Sequence, residues 1–124
     1  MNYQCDNAVD FAAHNNVRDA HFTAIGAVSG ATLGWLDLVQ KAYHPIMVNE
    51  QSEVLSMIGN IAEIKGKPSV HTHVVLGDHN GQTKGGHVWK LIVNPTLEVF
   101  VTVHPLPLEK KPDSGSGMNM IDLQ

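Results

Sequence analysis

The chain has 124 residues, a formal net charge of −4 and only 16% charged residues. This length allows one domain and leaves no room for two. Its one arginine, Arg18, and its negative net charge disfavour direct binding to nucleic acid, because Lys and Arg supply most of that affinity by neutralising phosphates.

The first half of the chain predicts one helix followed by strands. Asp6 or Asn7 can cap a helix over residues 8–15. Residues 21–28 and 32–39 are each largely apolar and predict two buried strands with a break at Ser29-Gly30. Residues 53–64 predict a long strand with a bulge at Gly59-Asn60, because glycine in a strand interior commonly marks a bulge.

The second half predicts a hairpin and further strands. Residues 69–77 are rich in Val and His, and Asn80-Gly81 is the strongest hairpin signal of the chain. The returning strand covers residues 86–93 and turns at Asn94-Pro95, and the next strand covers 97–103. A polar loop over residues 110–117, with its proline and glycines at 112–117, precedes a short final strand within 118–123.

One helix and several hairpin-linked strands predict an α+β fold, with a mostly antiparallel twisted sheet and one main helix packed on it. We expect a single domain over residues 1–124. The longest stretch without a formal charge, residues 20–36, contains His, Ser, Thr and Gly, which indicates a soluble core and no membrane span. The first residues show no secretory signal, and the lone Cys5 cannot form an internal disulfide, so we expect a cytoplasmic protein.

Three of the eight histidines form a candidate metal site. His71 and His73 are two residues apart on a predicted strand, so their side chains leave the same face. His87 follows the hairpin, and a small bulge at Gly85-Gly86 would bring it level with His73. Three imidazoles on paired strands are typical of zinc sites that keep a fourth position for water or ligand, so we expect zinc or another divalent ion.

The same residues also have simpler interpretations. Two histidines on one strand face often have no function, and Gly85-Gly86 serves either a strand bulge or a close backbone approach to a ligand or subunit. The remaining histidines are expected at exposed, loop or partly buried positions: His14, His21, His44, His79 and His104. Three carboxylates are unranked candidates for orienting the rings or acting as a general base: Glu53, Glu63 and Asp78.

The order of these motifs resembles the plants-and-prokaryotes-conserved (PPC) domain family. The resemblance covers residues 8–104 and rests on an ordered set of segments: AIGAV at 24–28, LGWLD at 33–37, EVLSMIGNIA at 53–62, Lys67-Pro68, VHTH at 70–73, Gly77-Asp78, Gly81 and GGH at 85–87. Family members usually have a strand before the first helix, whereas only about six residues precede it here. A missing strand would expose a sheet edge, which we expect another subunit or the tail from Met118 to cover.

The resemblance implies a homotrimer and metal binding through His71, His73 and His87, and we expect Asn60, Gly85 and Gly86 to be further binding residues. Plant members join this domain to an AT-hook that grips DNA, and prokaryotic members are often described as DNA-binding by analogy. No AT-hook core occurs in this sequence. Shared fold alone is weak evidence for shared function.

Three functional hypotheses follow. The first is a homotrimeric PPC module with a three-histidine site for a divalent metal. The second is a DNA-associated regulator, by analogy with the family. The third is a zinc-dependent enzyme of unknown substrate, for which the sequence assigns no catalytic residue.

Overall fold

The protein is described here by a computed structural model covering residues 2–123. Within this part of the chain there are one helix, α1 (Cys5–His14), and eight strands. The strands are β1 (Asn2–Gln4), β2 (Ala20–Asp37), β3 (Ala42–Val48), β4 (Ser52–Ile64), β5 (Lys67–Gly77), β6 (Thr83–Val103), β7 (Lys110–Pro112) and β8 (Asn119–Ile121). The α+β class is therefore correct, although α1 is short and begins earlier than predicted.

The four long strands form a closed circuit of antiparallel pairings. β2 pairs with both β4 and β6, and β5 also pairs with both β4 and β6. β1 adds to β6, and β3 adds to β2 at the opposite end of the strand order. Closing the circuit gives each long strand a partner on both sides over part of its length.

The hydrophobic core lies inside this circuit. Along β2, residues 20 to 25 alternate between buried and exposed, as expected for a strand with one face towards a core. The largest fully buried apolar side chains are Leu33, Met57, Ile61, Leu76, Leu91, Val28 and Val88. Helix α1 contributes Ala12, which has no exposed surface. The outward faces of the same strands are free to carry a functional site.

β2 is a single strand of 18 residues, so the predicted break at Ser29-Gly30 is wrong. Val28 pairs with Val93 and Gly30 pairs with Ile92, which leaves Ser29 as an extra residue on β2. A bulge absorbs the extra residue and bends the strand while the pairing continues. The small polar residues here therefore bend the chain without ending the strand.

β4 does contain a bulge, but not at the predicted Gly59-Asn60. The pairing of β4 shifts at Leu55, which lies between Val54 and Ser56 and has no partner on β5. Gly59 has a different purpose, because a Cβ at this position would lie 2.2 Å from Cζ of Phe22. The glycine makes room for the buried Phe22 ring.

β6 runs through the predicted turn at Asn94-Pro95. Val93 pairs with Val28 and Leu97 pairs with Gly26, so residues 94–96 bulge opposite Ala27. A proline is tolerated at such a bulge because no ladder hydrogen bond requires its missing N–H. The predicted strands 86–93 and 97–103 are therefore two parts of one strand of 21 residues.

The prediction did not include three short strands. β1 pairs with residues 90–92 of β6, so a strand does precede the helix, contrary to expectation. β3 contains Pro45, which argues against a central strand but is acceptable at a sheet edge. β7 occupies residues assigned to the polar loop, and β8 pairs with β7, not with an edge of the main sheet as we had expected of the tail. Among residues 2–123, no helix has the length and apolar character needed to span a bilayer.

Candidate metal centre

His71 and His73 lie on the outward face of β5. The residues that alternate with them, Thr72 and Val74, are buried at 1% and 3% exposure. Because side chains alternate between the faces of a strand, burying Thr72 and Val74 places both imidazoles outside the core. The predicted common face for the two histidines is therefore correct.

His87 lies directly opposite His73 across the hairpin between β5 and β6. The loop of residues 78–82 joins Gly77 to its partner Thr83, and the pairing then continues without a shift to His73 and His87. The predicted bulge at Gly85-Gly86 is thus wrong, because this loop is longer than the two-residue turn we had assumed. Asp78 holds the loop, since its Oδ1 accepts the N–H groups of Asn80 and Gln82 at 2.8 and 3.0 Å.

The three imidazole rings converge on one small volume. Nε2 of His71 and Nε2 of His73 are 3.0 Å apart, and the His87 ring centroid lies 5.2 Å from that of His71 and 5.6 Å from that of His73. One nitrogen from each ring falls within 4.8 Å of the others. Among residues 7–123, whose side chains the structure describes, no carboxylate joins this group. The donor set within those residues is therefore purely imidazole.

Burial favours the neutral form of two of these rings. It lowers the pKa of His71 to about 4, with smaller contributions from the neighbouring His73, Lys110 and His87. The pKa of His87 is lowered first by burial and then by His73. Tyr43 on β3 contributes to the surroundings of His87, with the two ring centroids 5.2 Å apart. Neutral imidazole is the form that binds a metal.

A further observation, an unpartnered ring nitrogen of His87, is consistent with a metal ion at this site. Nδ1 of His87 is buried and has no hydrogen-bond partner within the described part of the chain. Buried polar atoms without a partner are uncommon, and each calls for an explanation such as an ion or a water. An ion held through that nitrogen would supply the partner it lacks.

Asn60 lies next to the histidine cluster, where a binding residue would have to be. Its predicted binding role stays a prediction. It lies directly opposite His71 in the pairing of β4 with β5. Its Oδ1 accepts a hydrogen bond of 2.8 Å from Nζ of Lys110. Lys110 begins β7 and is only 7% exposed. No sequence pattern marks this lysine, which lies within the predicted polar loop of residues 110–117.

Gly85 and Gly86 are explained at least partly by strand packing. A Cβ at Gly85 would lie 2.9 Å from the carbonyl oxygen of Val74, and one at Gly86 would lie 2.7 Å from that of Gly34. The backbone of β6 therefore approaches its neighbours too closely for a side chain at either position. Both glycines also line an open pocket beside His73. Their role in ligand binding stays a prediction.

The three candidate carboxylates do not join the histidines. Glu63 forms a bidentate ion pair with Arg18, at 2.6 Å from Nε to Oε1 and 2.9 Å from Nη2 to Oε2. Asp78 holds the hairpin loop, and Glu53 lies between Ala27 and Gly77 at the other end of β4. The structure thus gives no support to these carboxylates as orienting groups or as a general base.

Two other histidines meet outside the cluster. Nδ1 of His21 and Nε2 of His104 are 2.8 Å apart, with the rings stacked at a centroid distance of 5.0 Å. These two residues are 83 positions apart, so no local sequence pattern connects them. Among residues 2–123, no third histidine, cysteine or carboxylate completes a second group of this kind.

The comparison with known protein families agrees with this fold. The pattern of the Plants and Prokaryotes Conserved domain (abbreviated PCC or PPC) matches residues 6–105. The chain therefore belongs to this family, as the resemblance had indicated.

Several solved structures are similar over nearly the whole chain. A proposed DNA-binding protein from Ralstonia eutropha JMP134 is 33% identical, with a TM-score of 0.89 over 100% of this chain and 85% of that one. A metal-containing protein from Archaeoglobus fulgidus is 30% identical, with a TM-score of 0.86 over 99% of this chain and 91% of that one. A PPC protein from Pyrococcus horikoshii is 25% identical, with a TM-score of 0.84 over 100% and 93%.

A curated relative is much longer than this chain. The bifunctional protein GlmU of Synechococcus sp. strain JA-2-3B'a(2-13) is 29% identical over 104 residues. That match covers 82% of this chain but only 15% of the length of GlmU.

Proposed function

We propose that this PPC-domain chain is a metal-binding module in which His71, His73 and His87 hold one divalent ion. The observation that carries the proposal is the convergence of three ring nitrogens within 4.8 Å on two paired strands. The similarity to a metal-containing protein from Archaeoglobus fulgidus supports it.

Zinc is our first candidate because its protein sites favour nitrogen ligands at about 2.0–2.1 Å. Three protein ligands leave a fourth position for water or another ligand, where a bound zinc supplies Lewis-acid character. The protein's own part is to hold the rings in place, which paired strands do better than loops. Burial lowers the pKa of His71 and of His87 and so favours the neutral form that binds a metal.

The test is metal analysis of protein purified without an affinity tag. We expect about one divalent ion per chain in the wild type and loss of most of it in His73→Ala, since two remaining ligands bind far more weakly. His79→Ala is the matched control, because His79 lies in the loop of the same hairpin and is exposed. A His73→Ala protein that keeps all of its metal would refute the proposal.

We also propose that the chain assembles as a homotrimer. The outward side of the strand circuit exposes large apolar side chains, with Ile25 at 53%, Ile58 at 61% and Phe100 at 64% exposure. Contiguous exposed apolar surface commonly marks a protein interface. Light scattering coupled to size exclusion should give about three times the chain mass of 13.5 kDa. Ile58→Glu should reduce that mass, and a monomeric wild type would rule the trimer out.

DNA binding is a second candidate, motivated by the description of the Ralstonia eutropha relative. The net charge of −4 opposes it, because phosphate contacts require clustered cations. The test is retention on duplex DNA as salt is raised. A DNA-binding protein would lose affinity steeply with salt, whereas absence of binding even at low salt would remove this candidate.

A further inference from the structure

Lys110 places a buried ammonium group beside the histidine cluster. Its side chain comes from the segment after β6, and its Nζ donates to Oδ1 of Asn60 at 2.8 Å. Asn60 is the direct neighbour of His71 across β4 and β5, and opposed residues in a sheet share a face. The ammonium and the imidazoles therefore occupy one side of the same strand pair.

This ammonium has no anionic partner among residues 7–123, whose side chains the structure describes. Its only acceptor there is the uncharged Asn60 amide oxygen, and no carboxylate lies within ion-pair distance. An ammonium has three N–H donors, and the described side chains supply one acceptor for them. A buried charge is normally paired, since burying it alone is costly.

Metal binding would make the imbalance larger. Three neutral imidazoles leave the full charge of a divalent ion uncompensated, and none of the acidic side chains of residues 7–123 belongs to the cluster. Adding the ammonium gives a local charge of about +3, which no carboxylate of the described side chains offsets. A bound anion is the simplest way to offset such a concentration of positive charge.

We infer that the centre takes a small oxyanion, with one oxygen in the open position on the ion and another accepting a hydrogen bond from Nζ of Lys110. This inference rests on the proposed metal site and names its ligand class. Carboxylate and phosphate groups share the required chemistry, because each presents several strong acceptor oxygens on one centre. Asn60 is the positioning residue that holds the ammonium towards His71.

Cobalt(II) provides a direct readout, because its visible absorption responds to a change in its ligands. The wild-type protein is loaded with cobalt(II) in a buffer without carboxylate or phosphate, and then titrated separately with acetate and with inorganic phosphate. We expect at least one of the two anions to alter the spectrum and to bind with saturation. Which of the two binds more tightly distinguishes a carboxylate ligand from a phosphate ligand.

Lys110→Met should retain cobalt(II) but bind the anion about tenfold more weakly or worse, since a charge-assisted hydrogen bond contributes at least that much. Lys111→Met is the matched control, because Lys111 is the next residue of β7 and instead pairs with Asp122. Asn60→Asp offers an independent test that keeps Lys110. The new carboxylate at residue 60 would form an ion pair with the ammonium of Lys110 and should therefore also weaken anion binding.

The possible failures are distinguishable. If the wild type does not bind cobalt(II), the proposed metal site is wrong and this inference falls with it. If cobalt(II) binds but neither anion alters the spectrum, only the oxyanion inference is overturned. Unchanged anion affinity in both Lys110→Met and Asn60→Asp would overturn the assignment of the ammonium to the ligand.

Discussion

Gly86 packs so closely on Gly34 that a Cβ at residue 86 would lie 2.7 Å from the Gly34 carbonyl oxygen. The next residue is His87, which pairs with Gly34 on one side and with His73 on the other. The contact between these two glycines therefore sets the spacing between β6 and β2 next to His87. Backbone packing beside His87 thus positions one imidazole of the candidate metal site.

Gly86→Ala should weaken metal binding and destabilise the fold together. The new methyl group must push β6 away from β2, and overpacking of this kind costs about 1–3 kcal/mol. Thermal unfolding and metal titration measure the two effects. Gly115→Ala is the control, because its Cβ would approach only the Asp113 side chain, at 3.4 Å. Wild-type metal affinity in Gly86→Ala would show that this contact does not position His87.

Gly59→Ala should be strongly destabilising because of Phe22. The added Cβ would lie 2.2 Å from Cζ of the buried ring, so the ring or the strand must move. We expect a loss of roughly 1–3 kcal/mol in the free energy of unfolding, measured by denaturant titration. Combining Gly59→Ala with Phe22→Leu should restore part of it, and purely additive losses would contradict this explanation.

The ion pair between Arg18 and Glu63 should make stability depend on pH. The hydrogen bond from Arg18, together with the charge of Arg18, lowers the pKa of Glu63 below its ordinary value of 4.5. A carboxylate with a lowered pKa stabilises the folded state above its ordinary pKa, and this contribution is lost as the pH falls below that value. We therefore expect wild-type stability to decline as the pH drops below about 5.

Arg18→Met isolates this contribution from other acid effects. At neutral pH the variant should be less stable than the wild type, because the Glu63 carboxylate, which is 6% exposed, loses its ion-pair partner. The difference from the wild type should shrink as the pH falls through 4.5 and Glu63 becomes protonated. Chemical denaturation at several pH values measures it. A constant difference down to acidic pH would contradict the assignment.

Adding zinc should stabilise the wild type and not His71→Ala. A ligand that binds only the folded state adds about 2.7 kcal/mol at a hundred times its dissociation constant, which raises the melting temperature by several degrees. Differential scanning calorimetry with zinc and with a chelator measures the shift. A similar zinc-dependent shift in His71→Ala would place the bound ion elsewhere.

The strands and the histidine face could be predicted because they depend on local patterns. The spacing of His71 and His73 places both on one side of a strand whatever surrounds it. The hairpin signal at Asn80-Gly81 correctly indicated that the chain returns, so His87 could be brought near His73. The loop length was not predictable from two residues, because Asp78 organises a longer loop with its side chain.

What the sequence concealed depends on contacts between distant residues. Small residues, glycine and proline within a strand can mark either a break or a bulge, and this is true of Ser29, Gly59 and Pro95. Only the partner strands determine which of them bends the chain and which accommodates a ring. Lys110 is the clearest case, because its neighbours look like a solvent-exposed loop. Its burial follows from contact with Asn60, which lies 50 positions earlier.

The loop of residues 78–82 also constrains how this hairpin can evolve. An insertion or deletion of one residue that slipped the register of β6 against β5 would turn His87 to the opposite face, because side-chain direction alternates with every position. Changes of two residues would preserve the face but move the imidazole by a whole step along the strand. Among proteins that descend from this one, the change in the number of loop residues therefore matters. Changes of an odd number that shift the register would separate His87 from the other two histidines, whereas changes of an even number would keep the three imidazoles on one face.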